Sequence, residues 1–232
     1  MIRSLIFIIE LGIGSSDIIV QDTLTVTGDV EMAIGSKITV EVGGKLIIDG
    51  GTLTNSHCVE GLWQGVELLG NSNANQYGEP MNPNYPQGFV HLLNGGSIEG
   101  AEVGIYAGSF TQNGFAGGHI LIDGPNSKIK NCRTGILVKP YARHSLNHYK
   151  NVEFINDGTF IDPVTNSPMQ TIAHVKIQGM TVVGNEFDNA RFINANAALT
   201  TNDKGIGIHL TGRRIGTTNH PLVNNCYFEA LN

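Results

Sequence analysis

The residues best suited to chemistry sit in two short polar runs. PYARHSLNHYK (140–150) carries Tyr141, Arg143, His144 and His148, and TGRRIGTTNHP (211–221) carries Arg213, Arg214 and His220. Tyrosine faces stack on sugar rings, and arginine or histidine holds acidic sugars. These seven side chains are the predicted ligand-binding set. His144 and His148 stand four apart, a spacing that suits a metal only on a helix. Nothing in 140–150 reads as helical, so neither a metal nor any other cofactor is predicted. The set is cationic and has no carboxylate close by in sequence, which suits holding an anionic glycan better than cleaving one. A hydrolase needs carboxylates converging on one bond. Of the outward acids, Glu41, Glu67 and Glu99 fall at differing steps of their strands and are expected to scatter. Asp49 and Asp123 share one step, immediately before a corner glycine, where Asp bonds the amides of its own turn. The chain contains no Gly-x-Ser-x-Gly elbow, P-loop or dinucleotide fingerprint.

The elements that must position these residues are short strands. In "TLTVT" (23–27) and "KITVEV" (37–42), apolar and polar residues alternate, the mark of strands buried on one face. Each burst ends at glycine, which accepts the backbone angles of a tight corner. "GGKLIIDGG" (43–51) and "GGHILIDG" (117–124) are near copies. Aligned on their glycines, they pair Leu46 with Ile120 and Ile48 with Ile122, with a predicted separation of about three solenoid turns. A longer pattern, Asn or Gly, a small apolar residue, then Gly-apolar-x-apolar, recurs as "SIEGAEVGIYAG" (97–108) and "KIKNCRTGILVK" (128–139). Repeats of this length made of strand pieces, with no helical period between them, predict a β-solenoid. Asn55, Asn131, Asn151 and Asn225 are expected to stack at one corner. Trp63, the one tryptophan, reads as a packing residue. Cys58, Cys132 and Cys226 match no metal or redox spacing. Cys132 and Cys226 both follow Asn, where Ala101 and Val152 stand in other copies, so all three thiols are predicted to be free and buried.

The run "ITVEVGGKLIIDGGTLTN…GLWQGVELLGN" followed by "GSIEGAEVGIY" resembles the right-handed parallel β-helix repeat proteins. It looks in particular like the large surface proteins secreted by Bacteroidetes-type bacteria. The likeness covers roughly residues 20 to 140 well and the rest loosely. It implies an all-β, right-handed parallel β-helix (a β-solenoid) in one domain over 1–232, with loop insertions near 71–88, 140–151 and 211–221. No C-terminal sorting domain is present and "NNCYFEALN" stops mid-pattern, so the chain reads as part of something longer. The implied function is a non-catalytic scaffold or adhesin-like module, extracellular or at the cell surface, contacting a polysaccharide or cell-surface glycan. Polysaccharide lyases and glycoside hydrolases also use this fold, and they are the alternative. The adjacent Asp pair and Asn-Thr-Asp run of such hydrolases do not occur here. A lyase would hold Ca²⁺ through clustered acids and use a basic residue to take the proton. Asp157, Asp162 and the Arg213–Arg214 pair are the residues available for that.

Bulk properties narrow the partners. The chain has 232 residues, a net charge of −6 and only 15% charged residues, against 30 glycines. No polybasic run offers a nucleic-acid surface. No stretch reaches the roughly 18 apolar residues of a membrane span. Arg3 and Leu5–Ile9 have the look of a signal peptide, but Glu10 interrupts and no small-residue cleavage site follows; the rival reading is a first strand or the start of a fragment. Residues 2–13 are apolar enough to cover one end of a coil. The C-terminal edge has no such cover, which predicts fraying or edge-to-edge self-association.

Overall fold

The computed structural model describes residues 17–56, 61–162, 166–179, 184–196, 205–211 and 222–230. The N-terminal segment, Cys58, and the Arg213, Arg214 and His220 cluster lie outside the described residues.

Among the described residues, alternating bursts wind into seven coils of three strands each. The first coil is β1 (Ile18–Val20), β2 (Thr23–Val26) and β3 (Asp29–Met32), and the second is β4 (Lys37–Val40), β5 (Lys45–Asp49) and β6 (Thr52–Asn55). The third is β7 (Trp63–Leu68), β8 (Phe89–Leu93) and β9 (Ser97–Glu99), and the fourth is β10 (Ala101–Ala107), β11 (His119–Ile122) and β12 (Ser127–Lys130). The fifth is β13 (Thr134–Val138), β14 (His148–Lys150) and β15 (Val152–Asn156), followed by a small antiparallel hairpin of β16 (Ile161–Asp162) and β17 (Ser167–Pro168). The sixth is β18 (Ala173–Gln178), β19 (Glu186–Asp188) and β20 (Arg191–Asn194), and the seventh is β21 (Ile206–Thr211), β22 (Leu222–Asn224) and β23 (Tyr227–Ala230). Equivalent strands pair in parallel, giving a first sheet (β1-β4-β7-β10-β13-β18-β21), a second (β2-β5-β8-β11-β14-β19-β22) and a third (β3-β6-β9-β12-β15-β20-β23). This is a right-handed parallel β-helix. Among the described residues no helix is long and apolar enough to cross a membrane.

The core is built from columns of like residues, because equivalent positions lie about 4.8 Å apart along the coil axis. Val30, Leu53, Ile98, Ile129, Phe154, Phe192 and Phe228 form one inward column of the third sheet. Its last three rings stack at 4.9 and 4.8 Å, within 5° of parallel. Leu46 and Ile120 do share a column, but through Val90 they lie two coils apart, not three. The long insert of the third coil swells the sequence distance between them. Trp63 is wholly buried, and its Nε1 donates to the Glu99 carbonyl at 2.8 Å.

Two corners that look alike in sequence prove to be different. Asn94, Asn126, Asn151, Asn189 and Asn225 turn the chain from the second sheet into the third with left-handed φ of 49–62°. Asparagine tolerates that region because its short amide bonds locally; here Asn189 Nδ2 donates to Asn151 Oδ1 at 2.8 Å. Asn131 and Gly100 instead turn the third sheet into the first, and Asn55 ends β6 above Gly100. The expected single asparagine stack is therefore corrected to two corners. Cys132 thus follows the Asn131 corner, whereas Cys226 sits with Val152 and Ala190 at the other. Cys132 is buried, while Cys226 is only half-buried in the last coil. Asp49 and Asp123 likewise depart from expectation: each bonds a side chain of the third coil, Asp49 to Asn94 Nδ2 and Asp123 to His91 Nε2, both at 2.7 Å.

Candidate functional site

Long connections concentrate at the corner from the first sheet to the second. They span 69–88 in the third coil, 108–118 in the fourth and 139–147 in the fifth. The middle one, "GSFTQNGFAGG" (108–118), has the glycine and asparagine content of a loop.

Two buried glutamines tie these loops together. Gln76 Nε2 donates to the carbonyls of Gly117 (2.9 Å) and Gly118 (3.1 Å), and its Oε1 accepts the Leu146 amide. Gln87 Nε2 donates to the Asn71 and Ala74 carbonyls, both at 3.1 Å, and its Oε1 accepts the Asn71 amide at 2.7 Å. His119 is buried between them. Burial pushes its pKa down to about 4, against the opposing effect of the Leu146 carbonyl. The neutral ring donates from Nε2 to that carbonyl at 3.0 Å, and its Nδ1 lies 2.7 Å from the Tyr85 hydroxyl, whose one hydrogen is shared with the Gln76 carbonyl at 2.9 Å. Such buried networks rigidify what they join.

The fourth-coil loop then lies over the outer face of the first sheet and is anchored by Glu67. This carboxylate is 2% exposed and takes four donors. Ser109 Oγ (2.6 Å) and the Phe110 amide (2.7 Å) reach Oε1, while Lys37 Nζ (2.6 Å) and Thr39 Oγ1 (3.1 Å) reach Oε2. Burial alone would raise its pKa, but the bonds to Lys37, Ser109 and Phe110 together outweigh that and hold it below the usual carboxylate value. Glu67 is thus a fixed anion with no lone pair to spare.

Beside this anchor runs an open groove of about 570 Å³ between β1, β4 and β7 and the loop. Ile19, Val42, Leu69 and Phe115 give it an apolar wall, and Thr39, Thr111 and Gln112 give it uncharged polar groups. Asp17 and Glu41 stand in the same groove. The expected scatter of outward acids is corrected here: β4 and β7 pair with Thr39 beside Glu67, so Glu41, two residues further along the same outer face, lines the same groove. With Lys37 paired to Glu67, the groove keeps a negative balance.

Of the predicted ligand set, Tyr141, Arg143, His144 and His148 are described, and they lie in different settings. Tyr141 is 6% exposed; its hydroxyl donates to the Ala74 carbonyl and lies 3.4 Å from Gln87 Nε2, so it braces the third-coil and fifth-coil loops against each other. Arg143 and His144 are exposed at the loop tip, where His144 lies parallel to the exposed Tyr77 ring, 6.0 Å between centroids. His148 belongs to β14 and is half-buried in the outer column between Leu121 and Glu186. His144 and His148 thus lie in a loop and a strand. Among the described residues no group of three His, Cys, Asp or Glu side chains could hold a metal ion. Asp157 pairs with Lys130 at 2.9 Å and Asp162 with Arg133 at 2.8 Å, each already held by its own cation. Compared with protein-family models, curated proteins and solved structures, the chain has no match in any of the three.

Proposed function

We propose that this chain is a non-catalytic β-helix scaffold, adhesin-like and extracellular or at a cell surface, that binds glycans in the groove on its first sheet. The observation that carries the reading is the groove's composition. An aromatic ring, Phe115, lines the groove together with hydroxyl and amide groups that match sugar hydroxyls. The negative balance of Asp17 and Glu41 favours neutral sugars in the groove over uronic acids, whose carboxylates they would repel. Arg143 and His144 at the loop tip offer a separate, weaker contact for acidic sugars.

Three features argue for binding over turnover. Glu67 is saturated by donors, and Asp157 and Asp162 are each paired with a cation. A hydrolase needs two carboxylates converging on one bond, and the two other acids of the groove each accept a bond within the coil, Asp17 from the Lys37 amide at 3.1 Å and Glu41 from Gln21 Nε2 at 2.9 Å. The likeness to secreted Bacteroidetes-type β-helix repeat proteins accords with a surface location. The test is calorimetric titration with neutral oligosaccharides. Saturable binding that Phe115→Ala weakens about tenfold is expected from the loss of one ring stack; equal affinity in the variant moves the site elsewhere.

A further inference from the structure

The chain has two Asn-Gly steps, Asn94–Gly95 and Asn113–Gly114, and the fold treats them differently. At such a step the glycine, having no side chain, lets its amide nitrogen approach the side-chain carbonyl of the asparagine before it. Asn94 is fixed at a corner of the third coil. Its φ is 52°, its Nδ2 donates to Asp49 Oδ1 at 2.7 Å, and the Gly96 amide closes the turn on the Leu93 carbonyl at 2.9 Å. Gly124 of the fourth coil packs so close that a Cβ there would lie 2.3 Å from the Asn94 nitrogen. Asn113 is exposed in the roof loop of the groove, within the fourth coil. Among the described residues no hydrogen bond engages its side chain, its amide or the Gly114 amide. Gly114 has a φ of +94° and open space where a Cβ would stand. Only the flanks are held: the Thr111 and Gln112 amides donate to Ser109 Oγ at 3.3 and 3.2 Å, and Ser72 Oγ donates to the Gly114 carbonyl.

We propose that Asn113 is a modification site, at which the folded protein converts its own asparagine to aspartate and isoaspartate with water as the co-reactant. The Gly114 amide gives up its proton to solvent base and its nitrogen bonds to Asn113 Cγ. The Cγ–Nδ2 bond breaks, and ammonia leaves carrying a proton. Water then opens the succinimide ring. Breaking the new N–Cγ bond leaves aspartate; breaking the original peptide bond leaves isoaspartate, whose main chain runs through the former side chain and is longer by one carbon. Either product sets a carboxylate next to Gln112, at a groove that already holds Asp17 and Glu41, and like charges there repel. The longer isoaspartyl chain must also fit between the Ser109 bond to Glu67 and the Ser72 bond to Gly114, so it loosens the roof.

Ageing the 232-residue chain in mildly alkaline native buffer, followed by peptide mass mapping and enzymatic methylation of isoaspartate, tests this. The expected result is the aspartate mass at Asn113 with isoaspartate at the same position. Asn94 should react roughly tenfold more slowly or less, the ratio set by opening a corner that a hydrogen bond to a carboxylate holds. In concentrated urea the two steps should react at equal rates, since the protection of Asn94 lies in the fold. Ageing should quicken amide exchange over 108–116 in the wild type and leave it slow in Asn113→Gln. An intact Asn113 in the aged native chain overturns the inference, and so does Asn94 modified equally fast there. Exchange that quickens as much in Asn113→Gln overturns the loosening of the roof.

Discussion

Replacing Glu67 with glutamine should loosen the roof of the groove without disturbing the coil. The substitution keeps the shape and lets Oε1 go on accepting from Ser109 and Phe110. It turns Oε2 into an amide that points its hydrogens at Lys37 Nζ, 2.6 Å away. A hydrogen bond to a charged group contributes about 1.5–3 kcal/mol, and stranding a buried partner raises the cost to about 3–5 kcal/mol. The Lys37 side chain is 20% exposed and can turn toward water, which places the expected loss at the lower end, about 2–3 kcal/mol. For a chain of this size that is a fall in melting temperature of roughly 4–12 °C. Amide exchange should quicken in 108–116 and stay slow in β4 and β7. The pH profile gives a second signature. The Glu67 carboxyl lies below its ordinary value in the folded protein. Its contribution is therefore present above the unfolded carboxylate pKa and lost as pH falls through the folded value, and E67Q should flatten that acid limb. An unchanged melting temperature, or quickened exchange spread evenly over the coil, would refute the anchoring role.

Two further outcomes follow from the packing. Gly65 has a φ of +106°, and a Cβ there would sit 1.6 Å from the Val103 carbonyl oxygen, where β10 bulges against β7; Gly65→Ala should cost at least about 3 kcal/mol, and near-native urea stability would contradict that register. The Cys132 thiol is buried, and its pKa is pushed up to about 12, chiefly by that burial; it should resist alkylation at neutral pH until the chain unfolds, and prompt labelling at Cys132 would show that the corner opens.

Much of the coil was legible because its causes are local. Alternation of apolar and polar residues names the inward face, and glycine or asparagine names the corner, so the pairing of Leu46 with Ile120 could be read directly. What was not legible depends on distance. The number of coils between those residues is hidden by the insert at 69–88, since an insert adds residues without adding a coil. The two asparagine corners could not be separated, because both require the same left-handed backbone and the same small inward residue after it. Tyr141 reads as an exposed loop aromatic until the 69–88 loop is seen folded against it. Glu67 reads as an ordinary outward acid, because its partners Lys37, Ser109 and Phe110 lie 30 to 43 residues away. The groove was missed for the same reason: its roof belongs to a loop, 108–118, whose neighbours in space are two coils earlier in sequence.

The proposed binding of a neutral glycan, left whole, in the first-sheet groove is tested most directly by an NMR titration of the labelled protein with neutral hexasaccharides, with the sugar recovered and weighed at the end. Saturable shifts at Thr39, Thr111, Gln112 and Phe115 are expected, with sugar of unchanged mass. Shortened or unsaturated sugar, or shifts confined to residues outside the groove, would contradict it.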